Sequence, residues 1–181
     1  MTPVTQYCGK SGRLEFNPIN YMLPSLTIPT YTSTLDASTA SPELIEFCRE
    51  YGILHYKLQA FFTNANIVRS LCHIDVHNIT QQSQPRINWV LTAPSSYMQW
   101  FDTSSALPVP KPRDSLDYTA YDCRPLAPLH TEYMRGGYVV ETAIAHVVQN
   151  PTSEARWCVS ITPQFASGHV SLGELLARLN G

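Results

Sequence analysis

The stretch Leu71-Cys72-His73-Ile74-Asp75-Val76-His77-Asn78 sets two histidines and an aspartate at alternate positions. Side chains alternate across a strand, so in an extended segment His73, Asp75 and His77 share one side with Leu71, and Cys72, Ile74 and Val76 take the other. Imidazoles and a carboxylate are ligands for a divalent transition metal. The same pattern also reads as an exposed His–Asp pair on an edge strand. Three ligands at period two span about 13 Å along one strand, too far to converge on one ion with bonds near 2 Å. A metal reading therefore needs a further ligand from another strand.

The run Ile144-Ala-His-Val-Val-Gln-Asn-Pro-Thr-Ser-Glu-Ala-Arg-Trp-Cys-Val-Ser-Ile161 supplies a candidate in His146. If the strands on either side of Asn150-Pro151 form a hairpin centred on residue 151, His146 and Arg156 lie opposite each other. His73, Asp75 and His146 would then give two imidazoles and one carboxylate, the facial set that suits Fe(II) and leaves three octahedral positions open. Arg156 would offer a planar, permanently charged fork for a carboxylate. Other candidates are weaker. His55, His130 and His169 stand alone and read as surface or satisfied core residues. Trp89, Trp100 and Trp157 read as core or rim. Asn88 shares a strand face with Arg86, and if it looks inward it needs a polar partner. Cys158 has only Arg156 nearby in sequence to activate it and is no nucleophile candidate.

The elements that must position these residues are mostly strands. Strand-like runs fall at 53–62, 67–76, 86–92, 97–102, 138–148 and 156–162. Residues 1–40 are rich in Thr, Ser and Pro and read as an arm of short edge strands and turns. Two helices flank the strands. In the first, Ser41 caps, Pro42 suits the first turn, Leu44, Phe47, Cys48 and Tyr51 make one face, and Gly52 ends it. In the second, over 171–179, Ser171 and Glu174 form a capping box ahead of Leu172, Leu175, Leu176 and Leu179. Helices confined to the flanks predict a mostly antiparallel β core, a sandwich or jelly-roll barrel. The segment 103–137, with Pro108, Pro110, Pro112, Pro125 and Pro128, reads as one long loop, either a lid that closes Tyr118, Tyr121 and Tyr133 over a ligand or a Pro-rich surface loop without ligand contact.

A chain of 181 residues predicts a single domain over 1–181. Its formal net charge of −2, with 12 Lys and Arg, gives no footprint for duplex nucleic acid. The absence of an apolar leader or an 18-residue apolar run predicts a cytoplasmic protein without a membrane anchor. Five scattered cysteines, Cys8, Cys48, Cys72, Cys123 and Cys158, fit reduced thiols.

On the His73-Ile74-Asp75 motif, the distal His146 and an arginine ten residues after it, the sequence resembles the Fe(II)- and 2-oxoglutarate-dependent oxygenase superfamily. The runs Arg86-Ile-Asn-Trp-Val-Leu91 and Met98-Gln-Trp-Phe-Asp102 are similar to core strands of its small phage-type and prolyl-hydroxylase-like members. The resemblance covers 53–162. It implies a double-stranded β-helix, a cupin-like jelly roll, with His73, Asp75 and His146 on iron and Arg156 on the distal carboxylate of 2-oxoglutarate. It also implies that O2 is consumed and that a C–H bond of a small molecule or an amino-acid-type side chain is hydroxylated, with release of succinate and CO2. Many members carry Arg-x-Ser in the last strand. Here Cys158 stands at the serine position, so the hydroxyl contact is either lost or moved to Ser160 on the same face, while Asn88 is an expected neighbour of the cosubstrate. Two other readings use the same residues: a cupin-like small-ligand binding protein or isomerase without oxygen chemistry, and a zinc hydrolase built on His73, Asp75 and His77.

Overall fold

In a computed structural model, residues 6–75, 85–109 and 118–181 are described. Their strands form two six-stranded antiparallel sheets. The large sheet holds, in spatial order, β1 (Cys8–Lys10), β10 (Gly136–Val140), β5 (Arg86–Val90), β12 (Arg156–Phe165), β3 (Ile53–Thr63) and β2 (Thr30–Thr34). The small sheet runs β7 (Pro108–Val109), β8 (Tyr118–Asp122), β4 (Leu71–Asp75), β11 (Ala145–Gln149), β6 (Tyr97–Phe101) and β9 (Pro128–Tyr133). The pairings β3–β12, β4–β11, β5–β10 and β6–β9 are nested, alternating between the sheets. A chain folded on itself as one long hairpin and then rolled up gives this order, and the architecture is a double-stranded β-helix of the jelly-roll kind.

Period-two alternation gives the large sheet two unlike faces. Leu58, Ile87, Trp89, Val139, Val159 and Ile161 point outward into one apolar cluster with helix α1 (Pro42–Glu50) and helix α2 (Leu172–Asn180). Both helices start as their sequences dictate. Ser41 Oγ accepts from Leu44 N at 3.1 Å, and Ser171 and Glu174 close their capping box with bonds of 3.2 and 2.7 Å. Gly137 lies opposite Trp89 on this face, and a Cβ there would come within 2.2 Å of the Leu14 Cβ, so only glycine lets that segment seat. Trp89 Nε1 donates to the Leu14 carbonyl at 3.1 Å, which pairs its polar atom in the cluster. No helix among the described residues is long and apolar enough to cross a membrane.

Three expectations need correction. The apolar run 138–148 is two strands in different sheets, β10 and β11, parted by a corner where Glu141 accepts from the Ala143 amide. The corner residues Glu141-Thr142 lie between two apolar stretches with no Gly or Pro beside them, so the whole reads as one strand. The segment 103–137 is no single loop, because β7, β8 and β9 lie within it. Pro108 and Pro128 are the first residues of β7 and β9, both at a sheet edge, where a missing N–H costs no ladder bond. Residues 110–117 of that segment, like His77, lie outside the described residues. Finally, β11 and β12 form no hairpin. Asn150 turns the chain from one sheet to the other, its amide donating to the carbonyls of Thr63, Asn64 and Glu154, so that Arg156 pairs with Thr63 and not with His146.

Candidate metal centre

The nested winding sets β4 beside β11 with His73 directly opposite His146. Their rings lie 4.5 Å apart between centroids, and His73 Nε2 stands 3.4 Å from Asp75 Oδ1. One donor atom from each of His73, Asp75 and His146 falls within 4.8 Å of the other two. Cis donors on an octahedral ion with bonds near 2.1 Å are about 3 Å apart, so a set within 4.8 Å could hold one metal after side-chain adjustment. His146 Nδ1 lies 2.9 Å from the Ile144 carbonyl, which can only accept. That bond puts the proton on Nδ1 and turns the Nε2 lone pair toward the site.

Electrostatics keep the imidazoles in the ligating form. Burial, helped by the neighbouring His146 and by Arg69 and Arg86 against the pull of Asp75, pushes the His73 pKa down to about 3. Burial also lowers that of His146. Neutral imidazole is the form that binds metals.

The arginine that touches the triad is Arg86, which sequence reasoning passed over. Its Nε lies 3.0 Å from Asp75 Oδ2, while its Nη1 donates to Gln59 Oε1 at 2.9 Å and its guanidinium lies over the Phe61 ring. Asp75 thus has one oxygen held by Arg86 and the other turned toward His73. The only sequence signal for Arg86 was its place on the strand face of Asn88. Arg156 is buried on the inner face of β12, and its Nε donates to Ser96 Oγ at 3.1 Å.

Asn88 and Ser160 sit in register on neighbouring strands, on the same inner face as Arg86. Asn88 Oδ1, Ser160 Oγ and, one pair along, Thr162 Oγ1 are buried and have no hydrogen-bond partner among the described residues. Buried polar atoms are nearly always paired, so these three atoms are groups that a polar ligand beside the donor triad could pair. Of the tyrosines expected in a lid, Tyr121 packs against the outer cluster of the small sheet, and Tyr133 is exposed beside Tyr97. The side chain of Tyr118 lies outside the described residues. Trp100, next to His146 in the sheet, is buried and donates to the Glu141 carbonyl.

No protein-family model and no curated protein matches the chain. Among solved structures it is similar to a mutant of Bacillus subtilis oxalate decarboxylase, with 13% identity and a TM-score of 0.41 over 86% of this chain and 31% of that one. It is also similar to recombinant oxalate oxidase in complex with glycolate, with 11% identity and a TM-score of 0.40 over 85% of this chain and 61% of that one. The chain therefore spans less than two thirds of the length of either.

Proposed function

We propose that the protein is a non-haem Fe(II)- and 2-oxoglutarate-dependent dioxygenase that hydroxylates a C–H bond of a small molecule or a single side chain. The observation that carries the reading is the convergence of His73, Asp75 and His146, two neutral imidazoles and one carboxylate, on the inner face of a double-stranded β-helix. Iron bound there would supply oxygen activation, with 2-oxoglutarate as the co-reductant that leaves as succinate and CO2.

The chain's own residues have separate tasks in this reading. His73, Asp75 and His146 would hold the metal and leave its remaining positions to ligands. Arg86 fixes the Asp75 carboxylate so that one oxygen faces the ion. Arg156, already directed inward, takes the distal carboxylate of 2-oxoglutarate, and Asn88 and Ser160 give its oxygens partners. Arg69 and Arg86 add positive charge beside the triad, which favours a dianionic cosubstrate. The net charge of −2 supports a small substrate over duplex nucleic acid.

A second reading, a cupin-like protein that binds a small ligand through a metal, draws on the bond from Arg156 to Ser96. That bond gives the arginine a duty that needs no cosubstrate. Adding 2-oxoglutarate to the Fe(II)-loaded protein without oxygen separates the two. Bidentate chelation produces a visible metal-to-ligand charge-transfer band, expected in the wild type and absent from His146→Ala. Iron binding with no band on saturation by 2-oxoglutarate would leave the second reading standing.

A further inference from the structure

The row of inner-face residues that carries His73 and His146 continues through Trp100 on β6 to His130 on β9, at the far edge of the small sheet. Strands are spaced by 4.7–4.9 Å, so His130 stands about 10 Å from His146. There the edge of the small sheet meets β1, the edge of the large one. Cys8 Sγ lies 3.9 Å from His130 Nε2, and the same nitrogen lies 3.5 Å from Glu132 Oε2.

We propose that Cys8, His130 and Glu132 form a second metal site, for a zinc-type divalent cation, that clasps the two sheets together at this seam. A thiolate, an imidazole and a carboxylate, each donor within 4.8 Å of the others, make a ligand set for a borderline-soft ion. A nucleophile–base–acid relay needs the thiol on one ring nitrogen and the carboxylate on the other. Here a single nitrogen faces both, so the three donors point at a common centre. Tetrahedral bonds of 2.0–2.3 Å put such donors about 3.3–3.6 Å apart; the Cys8–His130 and His130–Glu132 separations are 3.9 and 3.5 Å, and the third pair lies within 4.8 Å.

The surroundings fix the donors as outer partners of a metal do. Tyr7 stacks on the His130 ring at 5.2 Å with an interplanar angle of 9°, and Tyr138 OH reaches Glu132 Oε1 at 3.4 Å. Cys8 is buried on one sheet, while His130 and Glu132 are half-buried on the other, which leaves a fourth position for solvent. The proposal is independent of the function assigned to the first centre.

The test is a titration of the chelator-stripped full chain with Co2+ alone, followed by displacement with Zn2+. A near-ultraviolet thiolate-to-cobalt charge-transfer band, bleached by Zn2+, is expected in the wild type and in His73→Ala. It should vanish in Cys8→Ser, and His130→Gln should weaken Zn2+ binding by more than the roughly 10- to 100-fold that loss of an outer partner costs. Absence of the band in the wild type overturns the proposal whether or not the variants fold, and so does its persistence in Cys8→Ser.

Discussion

The two faces of the large sheet come from the same strands and treat their polar atoms in opposite ways. On the outer face Trp89 has its indole nitrogen paired with the Leu14 carbonyl and lies in a cluster of buried apolar side chains. On the inner face Asn88 Oδ1, Ser160 Oγ and Thr162 Oγ1 are buried without partners among the described residues, and Arg86 and Arg156 are buried charges. An orphaned buried group costs about 1–3 kcal/mol, so the inner face gives up stability where the outer face gathers it. Such a loss is tolerable in a protein whose ligand later pairs those atoms. Outer-face substitutions should therefore change stability alone, and inner-face substitutions should change binding more than stability.

The largest effect is expected on the outer side. Trp89, 1% exposed and in ring contact with Phe16 and Phe47, should cost about 3–5 kcal/mol of unfolding free energy on replacement by Ala. Urea denaturation measures the loss. Metal stoichiometry of the folded fraction should stay unchanged, and a variant that folds but binds less metal breaks the division between faces.

On the inner side Arg156→Ala should weaken 2-oxoglutarate by about 2–5 kcal/mol, or roughly 30-fold to several thousand-fold, because a charge-assisted bidentate pair is removed from a desolvated place. Metal affinity should barely move. Equal cosubstrate affinity in the variant and the wild type, measured by calorimetry on the Fe(II)-loaded or Mn(II)-loaded protein, would take Arg156 out of the site. Arg86→Ala should show the converse, a roughly 10- to 100-fold loss of metal affinity through the freed Asp75 carboxylate. Arg86→Lys should restore only part of it, since an ammonium cannot serve Asp75 and Gln59 in the planar fork.

What could be read before the structure follows from how far apart the cooperating residues lie. His73 and Asp75 sit two apart on one strand, and Ser171 and Glu174 three apart at a helix start, so local periodicity announced both. The nested strand order was not local, but it could be expected from the spacing of His146 and Arg156 through the resemblance. The corners could not. Glu141–Ile144 sends the chain from sheet to sheet with no Gly or Pro to mark it. The turn signal at Asn150-Pro151 does not tell a hairpin from a crossing between sheets, so the hairpin register assumed there failed. Arg86 was hidden because its partner, Asp75, lies on a strand of the other sheet. Cys8 and His130, 122 positions apart, meet only because two sheet edges close on each other.

A smaller effect is expected from alkaline pH. Burial in the outer cluster pushes the Cys48 thiol up to about 12. Its folded pKa lies above the unfolded one, so the contribution is whole below the ordinary thiol value near 9 and is lost as pH rises from there toward 12. The slope per thiol is at most about 1.4 kcal/mol per pH unit. Cys72, also raised to about 12 by burial, adds a share of the same sign. In Cys48→Ala the fall of stability between pH 9 and 11 should be shallower than in the wild type, and an unchanged slope would show that the thiol ionises in the folded protein.

The smallest effect carries an unusual sign. Ser160→Ala removes a buried hydroxyl that has no partner among the described residues, and Thr162→Val replaces another by a methyl of nearly the same shape. Losing an unpaired hydroxyl from a buried position relieves a desolvation penalty without opening a large cavity. Each ligand-free variant should therefore be as stable as the wild type or more stable, by up to about 1 kcal/mol. In the cosubstrate complex the order should reverse for Ser160→Ala, because the hydroxyl then has an oxygen to meet and its removal costs a hydrogen bond of about 0.5–1.5 kcal/mol. Thermal unfolding of both variants, with and without metal and 2-oxoglutarate, reads the two signs in one experiment. If Ser160→Ala destabilises the ligand-free protein, the hydroxyl already has a partner there and the inner face is no different from the outer. If it stabilises both forms alike, Ser160 is an orphan that the cosubstrate never reaches, and the polar ligand that these three atoms await lies nearer Asn88 and Thr162.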